Sequence, residues 1–212
     1  MINNNNTIHY LKSGTELIIQ QTPTFDVRDF IQELLEYLPE WIFSLIDSVY
    51  IGNFKDLNDR DVTALYLDGA IFVSNEQPTA VEAAKDVIHE FGHVLESQFP
   101  YEIYGDSEVK NEFFDKRLTL YYLMKTRYKC DLRAFRNVEF DEEFDQWLYS
   151  EIGYDTLNLL IQGIFFSPYS VTSVREYWAA GFEKFILGKK FDTIAPRLYN
   201  KIQDVLESIT AQ

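Results

Sequence analysis

One segment organises the reading of this chain: Thr79-Ala80-Val81-Glu82-Ala83-Ala84-Lys85-Asp86-Val87-Ile88-His89-Glu90-Phe91-Gly92-His93-Val94-Leu95-Glu96-Ser97. It opens on a capping box, in which the Thr79 oxygen and the Glu82 carboxylate each satisfy an orphan backbone N–H, so a helix is predicted from about residue 80. Val81, Ala84, Ile88 and Leu95 form its apolar stripe, and Pro100 marks the region where it has ended. Inside it lies His89-Glu90-Phe91-Gly92-His93, the pattern HExxH. Positions i and i+4 differ by only about 40° around a helix, so both imidazoles project from one face and suit one metal ion. Glu90 falls short of the ion but can hold a water on it, as a general base acting on water whose pKa zinc has lowered.

Five-residue patterns also arise by chance, and a helix can carry two histidines without purpose. Here the chain has only 3 histidines, and two of them fill the motif; the third, His9, reads as a solvated side chain in a polar stretch. Gly92 costs roughly 1 kcal/mol relative to alanine inside a helix, a cost that usually signals close approach by another element.

Ahead of this helix, Val49 to Phe54 and Ala64 to Ser74 are rich in Tyr, Ile, Val and Phe and read as strands, with Asp68-Gly69 a hairpin-type turn. Phe30, Leu34, Leu35 and Leu38 sit at helical spacing in Phe25 to Tyr37, and a second helical stretch from Glu40 to Ser48 follows Pro39. Beyond Ser107 the pattern is helical: Glu108 to Arg127, Glu142 to Tyr149, Tyr154 to Gln162, Val174 to Leu187 closed by Gly188, and Arg197 to Ile209. A small sheet in the first half and helices in the second give an α+β class. The 9 glycines and 6 prolines are scattered, no repeat is visible, and residues 1–212 are expected as a single domain.

Charge narrows the function. With 34 Asp plus Glu against 19 Lys plus Arg, the net charge of −15 would repel a phosphate backbone, and no basic run compensates. Nucleic acid and an anionic membrane surface are therefore not expected partners. Met1 to Gln21 holds the asparagine run Asn3 to Asn6 where a secretory leader would be basic and then apolar, and no run approaches the ~18 apolar residues of a membrane span, so the expected location is the cytoplasm. Cys130, the only cysteine, excludes an intramolecular disulfide and reads as a small buried hydrophobe.

Two histidines leave a catalytic zinc short of one protein ligand. Glu96 shares their helix face and would approach from beside them. Glu112, in Asn111-Glu112-Phe113-Phe114, follows His93 at a spacing used by some zinc aminopeptidases. Glu176, in Arg175-Glu176-Tyr177-Trp178-Ala179-Ala180-Gly181-Phe182, opens a strongly apolar helix where a carboxylate needs a partner; Ser173 to Glu176 also reads as a capping box. Glu112 and Glu176 both stay open on these grounds.

HEFGH followed by Tyr169 and then by the Glu-aromatic-aromatic-Ala-x-x-Phe helix starting at Glu176 resembles the catalytic domain of anthrax lethal factor and the related Pro-Pro endopeptidases, which are zincin metalloproteases. The resemblance implies a zincin-like fold, one Zn2+ per chain on His89, His93 and Glu176, Glu90 as general base and Tyr169 as oxyanion donor. It implies zinc-dependent hydrolysis of peptide bonds in a protein or peptide substrate. It also implies an edge strand just before the active helix that pairs with extended substrate, for which Gly69, Ala70, Ile71 and Phe72 are the expected positions. The stretch from His93 to Glu176 is longer than in those relatives, which places an added helical segment within about 100–160. Ala180 stands where lethal factor has an acidic residue, so Glu183 or Asp86 is expected to orient the histidines instead. The rival outside enzymology is an acidic interaction or inhibitor module in which the motif is incidental.

Overall fold

The computed structural model describes residues 6–11 and 13–211; Asn3 to Asn5 of the asparagine run lie outside them. The chain divides into two compact units, residues 1–98 and 99–212.

The first unit is a mixed sheet with helices on one face. Its elements are β1 (Thr7–Tyr10), β2 (Glu16–Ile19), α1 (Val27–Tyr37), a 3-10 turn (Glu40–Leu45), β3 (Ser48–Gly52), α2 (Lys55–Arg60), β4 (Ala64–Leu67), β5 (Ala70–Ser74) and α3 (Ala80–Gln98). The strand order is β1-β2-β3-β5-β4; β2, β3 and β5 run parallel, and β1 and β4 close the two sides antiparallel. Leu17, Val49 and Ile71 pair across neighbouring strands and are fully buried, as are Ile51 and Val73 in the next row. Phe30 and Leu34 of α1, together with Ala83, Val87, Ile88, Phe91 and Val94 of α3, complete this core. Phe91 meets Phe43 edge to face at 5.4 Å, and burying such a ring contributes about 1.5–3 kcal/mol.

Asp68 and Gly69 both take positive φ, 48° and 83°, the signature of the two-residue turn that matches strand twist, so β4 and β5 form the hairpin their sequence predicts. The topology corrects one expectation. β5 lies between β3 and β4, because the hairpin's second strand returns alongside β3; Ala70, Ile71 and Phe72 are therefore interior to the sheet, Gly69 is in the turn, and the free edge next to α3 is β4. Ser74 N–H donates to Thr63 C=O at 2.8 Å, and this register leaves the N–H and C=O groups of Ala64 and Tyr66 facing outward.

Other departures are local. The stretch after Pro39 forms only a 3-10 turn before Ser48 enters β3, and Val81 is 40% exposed, so the buried face of α3 is carried by its later residues. Pro100 does not merely follow α3: it opens a further short helix at its first position.

The second unit is helical: α4 (Pro100–Tyr104), α5 (Glu108–Met124), α6 (Leu132–Arg136), α7 (Glu142–Trp147) continuing into a π-helical turn (Leu148–Ile152), α8 (Tyr154–Leu160), a 3-10 turn (Tyr169–Val171), α9 (Val174–Ile186) and α10 (Pro196–Thr210). Asp131, Asp141 and Ser173 cap α6, α7 and α9 with their side-chain oxygens. Phe113, Leu120, Tyr177, Trp178, Phe182, Leu198 and Ile202 fill its core. Gly181 lets α9 and α10 approach closely, since a Cβ there would run into the Leu198 side chain. Among the described residues no helix is long and apolar enough to cross a membrane.

Candidate metal centre

Helix α3 is fixed before its histidines begin. Thr79 Oγ1 accepts the Glu82 N–H at 3.1 Å, which is the first half of the capping box. One turn ahead of His89, Asp86 Oδ2 accepts from Thr63 Oγ1 and from Gln77 Nε2, each at 2.7 Å, and Gln77 is buried. These bonds set the rotation of the helix against the start of β4 and aim the next turn.

Glu90 and His93 are buried at 8% and 9% exposure, and His89 is half-buried. The two imidazoles lie 5.3 Å apart, edge to face, as the i, i+4 spacing requires. His93 Nδ1 faces Glu96 Oε2 at 3.4 Å; with the proton on Nδ1, Nε2 is left as the ligand atom. Glu96, on the same helix face as the histidines, thus places a carboxylate beside the His93 ring. Glu90 Oε2 accepts the outward N–H of Tyr66 on the edge strand at 2.7 Å, so its carboxylate is braced by β4 itself. That contact is not legible in the sequence, because it depends on which strand takes the edge.

Glu176 sits in the first turn of α9, where its N–H donates to the Ser173 hydroxyl at 3.2 Å. The N-cap therefore accounts for its backbone N–H. His89 and His93 in the first unit and Glu176 in the second each offer a ligand atom of the kind a metal ion takes. Two imidazole nitrogens and one carboxylate oxygen make the donor set of a three-ligand catalytic zinc site.

Glu112 has a different task. Buried at 7% exposure, its carboxylate accepts from the Tyr177 hydroxyl at 2.8 Å and from the N–H groups of Arg197 and Leu198 at 2.9 and 3.2 Å. Pro196 at the first helical position and a carboxylate against the next two N–H groups form the N-terminal cap of α10. Burial and the adjacent Glu112 charge push the Tyr177 hydroxyl far above its ordinary pKa, so it stays a donor.

Tyr169 stands in the 3-10 turn just before α9, 40% exposed. Asp145 on α7 is a neighbour the sequence did not single out: burial raises its carboxyl pKa, Tyr154 donating a hydrogen bond opposes the rise, and the Glu176 charge adds to it. Only the folded helix arrangement brings that charge near Glu176. Burial also raises the Cys130 thiol, which suits an inert side chain better than a nucleophile.

No protein-family model, curated protein or solved structure matches this chain.

Proposed function

We propose that this chain is a zinc-dependent endopeptidase, with His89, His93 and Glu176 holding the ion and Glu90 acting as general base. The observation that carries the reading is the HExxH helix itself, with the His89 and His93 rings 5.3 Å apart and Glu90 buried beside them. When bound, zinc would polarise the scissile carbonyl and lower the pKa of water at the site.

The chain's own residues do the rest. Glu90 takes a proton from the attacking water and passes it to the leaving nitrogen, and its position is held by the Tyr66 N–H. The Tyr169 hydroxyl donates to the oxygen on which negative charge develops. An extended peptide pairs with the outward groups of Ala64 and the C=O of Tyr66 on β4, the Tyr66 N–H being held by Glu90, in place of the expected Gly69 to Phe72, because a strand can add only where the sheet has a free edge. The net charge of −15 favours a neutral or basic substrate segment.

A peptide library incubated with the wild-type protein, the Glu90→Gln variant and chelator-treated protein tests this. Cleavage by the wild type alone, restored to the chelated sample by zinc, is the expected result. Equal cleavage by Glu90→Gln would end the mechanism.

A further inference from the structure

Arg117, on α5, is the one cationic side chain of the core that is fully buried, at 0% exposure among the described residues. Its guanidinium lies over the Phe144 ring at 4.1 Å, with the Phe113 and Phe135 rings at 5.4 and 5.7 Å. All its hydrogen bonds go to backbone carbonyls: Nη1 donates to Val171 at 2.6 Å and to Thr172 at 3.3 Å, and Nη2 donates to Ala134 at 2.5 Å. Nε is buried with no partner. A buried cation is costly, and an apolar residue would fill such an aromatic pocket at less cost. Stability alone is thus a poor reason for its presence, and its two Nη1 contacts suggest another.

Val171 ends the 3-10 turn that carries Tyr169, and Thr172 leads directly to Ser173, the N-cap of the helix that presents Glu176. The turn is braced internally. Tyr169 C=O accepts from the Thr172 N–H at 3.0 Å and the Thr172 hydroxyl at 2.8 Å, while Ser170 Oγ accepts from Ser167 N–H at 3.0 Å and donates to Ser167 C=O at 2.7 Å. These bonds fix the shape of the segment but not its place. Bonds to other elements that hold its place include Val174 N–H to Val138 C=O at 2.8 Å and the two Arg117 Nη1 contacts.

We propose that Arg117 is a positioning residue of the candidate centre, its fork holding the Val171 and Thr172 carbonyls and so setting the turn of Tyr169 and the first turn of the Glu176 helix. The inference rests on the zinc reading above. Arg117 touches neither substrate nor ion; it acts through the backbone that carries the groups that do. Lysine carries one nitrogen on a flexible stem, so it cannot hold the Val171 and Ala134 carbonyls together as the rigid pair of Nη groups does.

The test is zinc affinity, measured by competition with a chromophoric chelator at a temperature where circular dichroism shows every variant folded. Wild type, Arg117→Met, Arg117→Lys and Glu176→Ala are compared with Leu120→Ala, a fully buried substitution on the same helix that costs stability without touching the turn. The expected result is about a tenfold or larger loss of affinity in Arg117→Met, a smaller loss in Arg117→Lys and a change within about twofold in Leu120→Ala. Should the methionine variant fail to fold, the lysine variant decides. Wild-type affinity in the folded Arg117 variants, or an equal loss in Leu120→Ala, overturns the inference while leaving the zinc reading intact. A wild-type protein that takes up no zinc ends both.

Discussion

Glu112 and Glu176 are two acidic residues that sequence could not rank by spacing, and substituting each separates capping from metal binding. Glu112→Ala removes the acceptor of three hydrogen bonds, from Tyr177 Oη and from the Arg197 and Leu198 N–H groups. Losing a helix N-terminal acceptor costs about 1 kcal/mol, and stranding a buried tyrosine hydroxyl costs about 1–3 kcal/mol more. The sum, about 2–4 kcal/mol, should lower Tm by roughly 10 °C in a chain of this size. Zinc per folded chain should be unchanged. Glu176→Ala should do the reverse: Glu176 is only half-buried and alanine is a better helix former, so Tm of the metal-free protein should move by less than about 1 kcal/mol equivalent while zinc is lost. Differential scanning fluorimetry in chelator, paired with elemental analysis of the same preparations, reads both quantities. Zinc retained by Glu176→Ala and lost by Glu112→Ala would refute the assignment of the third ligand.

Other substitutions probe separate parts of the account. Tyr169→Phe should keep bound zinc and lower kcat by about 10²–10³-fold once a substrate is found; an unchanged kcat removes the hydroxyl from the mechanism. Gly181→Ala should destabilise by about 1–3 kcal/mol, because the new methyl meets the Leu198 side chain, whose Cγ would be 3.0 Å away; urea unfolding that shows no loss would contradict the close approach of α9 and α10. The raised pKa of Asp145 means that the folded state binds its proton more readily than the unfolded state, so this group's contribution to stability falls as pH rises above the ordinary 3.8. Asp145→Asn should therefore stabilise chelator-treated protein at pH 7 by less than about 1 kcal/mol, allowing for its partial exposure, with the gain vanishing below pH 3.8; a gain that persists in acid would contradict this sign.

Local chemistry was legible where the sequence carries it locally. The Thr79 cap, the helix bearing His89 and His93 and the Asp68-Gly69 turn each depend on neighbours within a few residues, and each forms as read. What depends on partners distant in the chain was not legible. The four-residue strands β1 and β2 include His9, Tyr10 and Glu16, and their extended state comes from pairing with each other and with β3. That β4 and not β5 forms the edge is decided by β5 joining β3, a choice neither strand's composition records. The same holds at the centre. HExxH announced two candidate ligands and a candidate base, whereas the brace on Glu90 from Tyr66 and the commitment of Glu112 to α10 come from tertiary pairing. Arg117 had no sequence signal beyond being an arginine in a helical stretch.

Zinc content tests the central claim most directly, and it needs no knowledge of the substrate. Untagged protein purified without added metal or chelator, analysed by elemental mass spectrometry beside His93→Ala, should carry about one zinc per chain, with the variant depleted. No zinc in the wild type, and none taken up on reconstitution at neutral pH, would contradict the account and turn attention to an acidic binding module with an incidental HExxH.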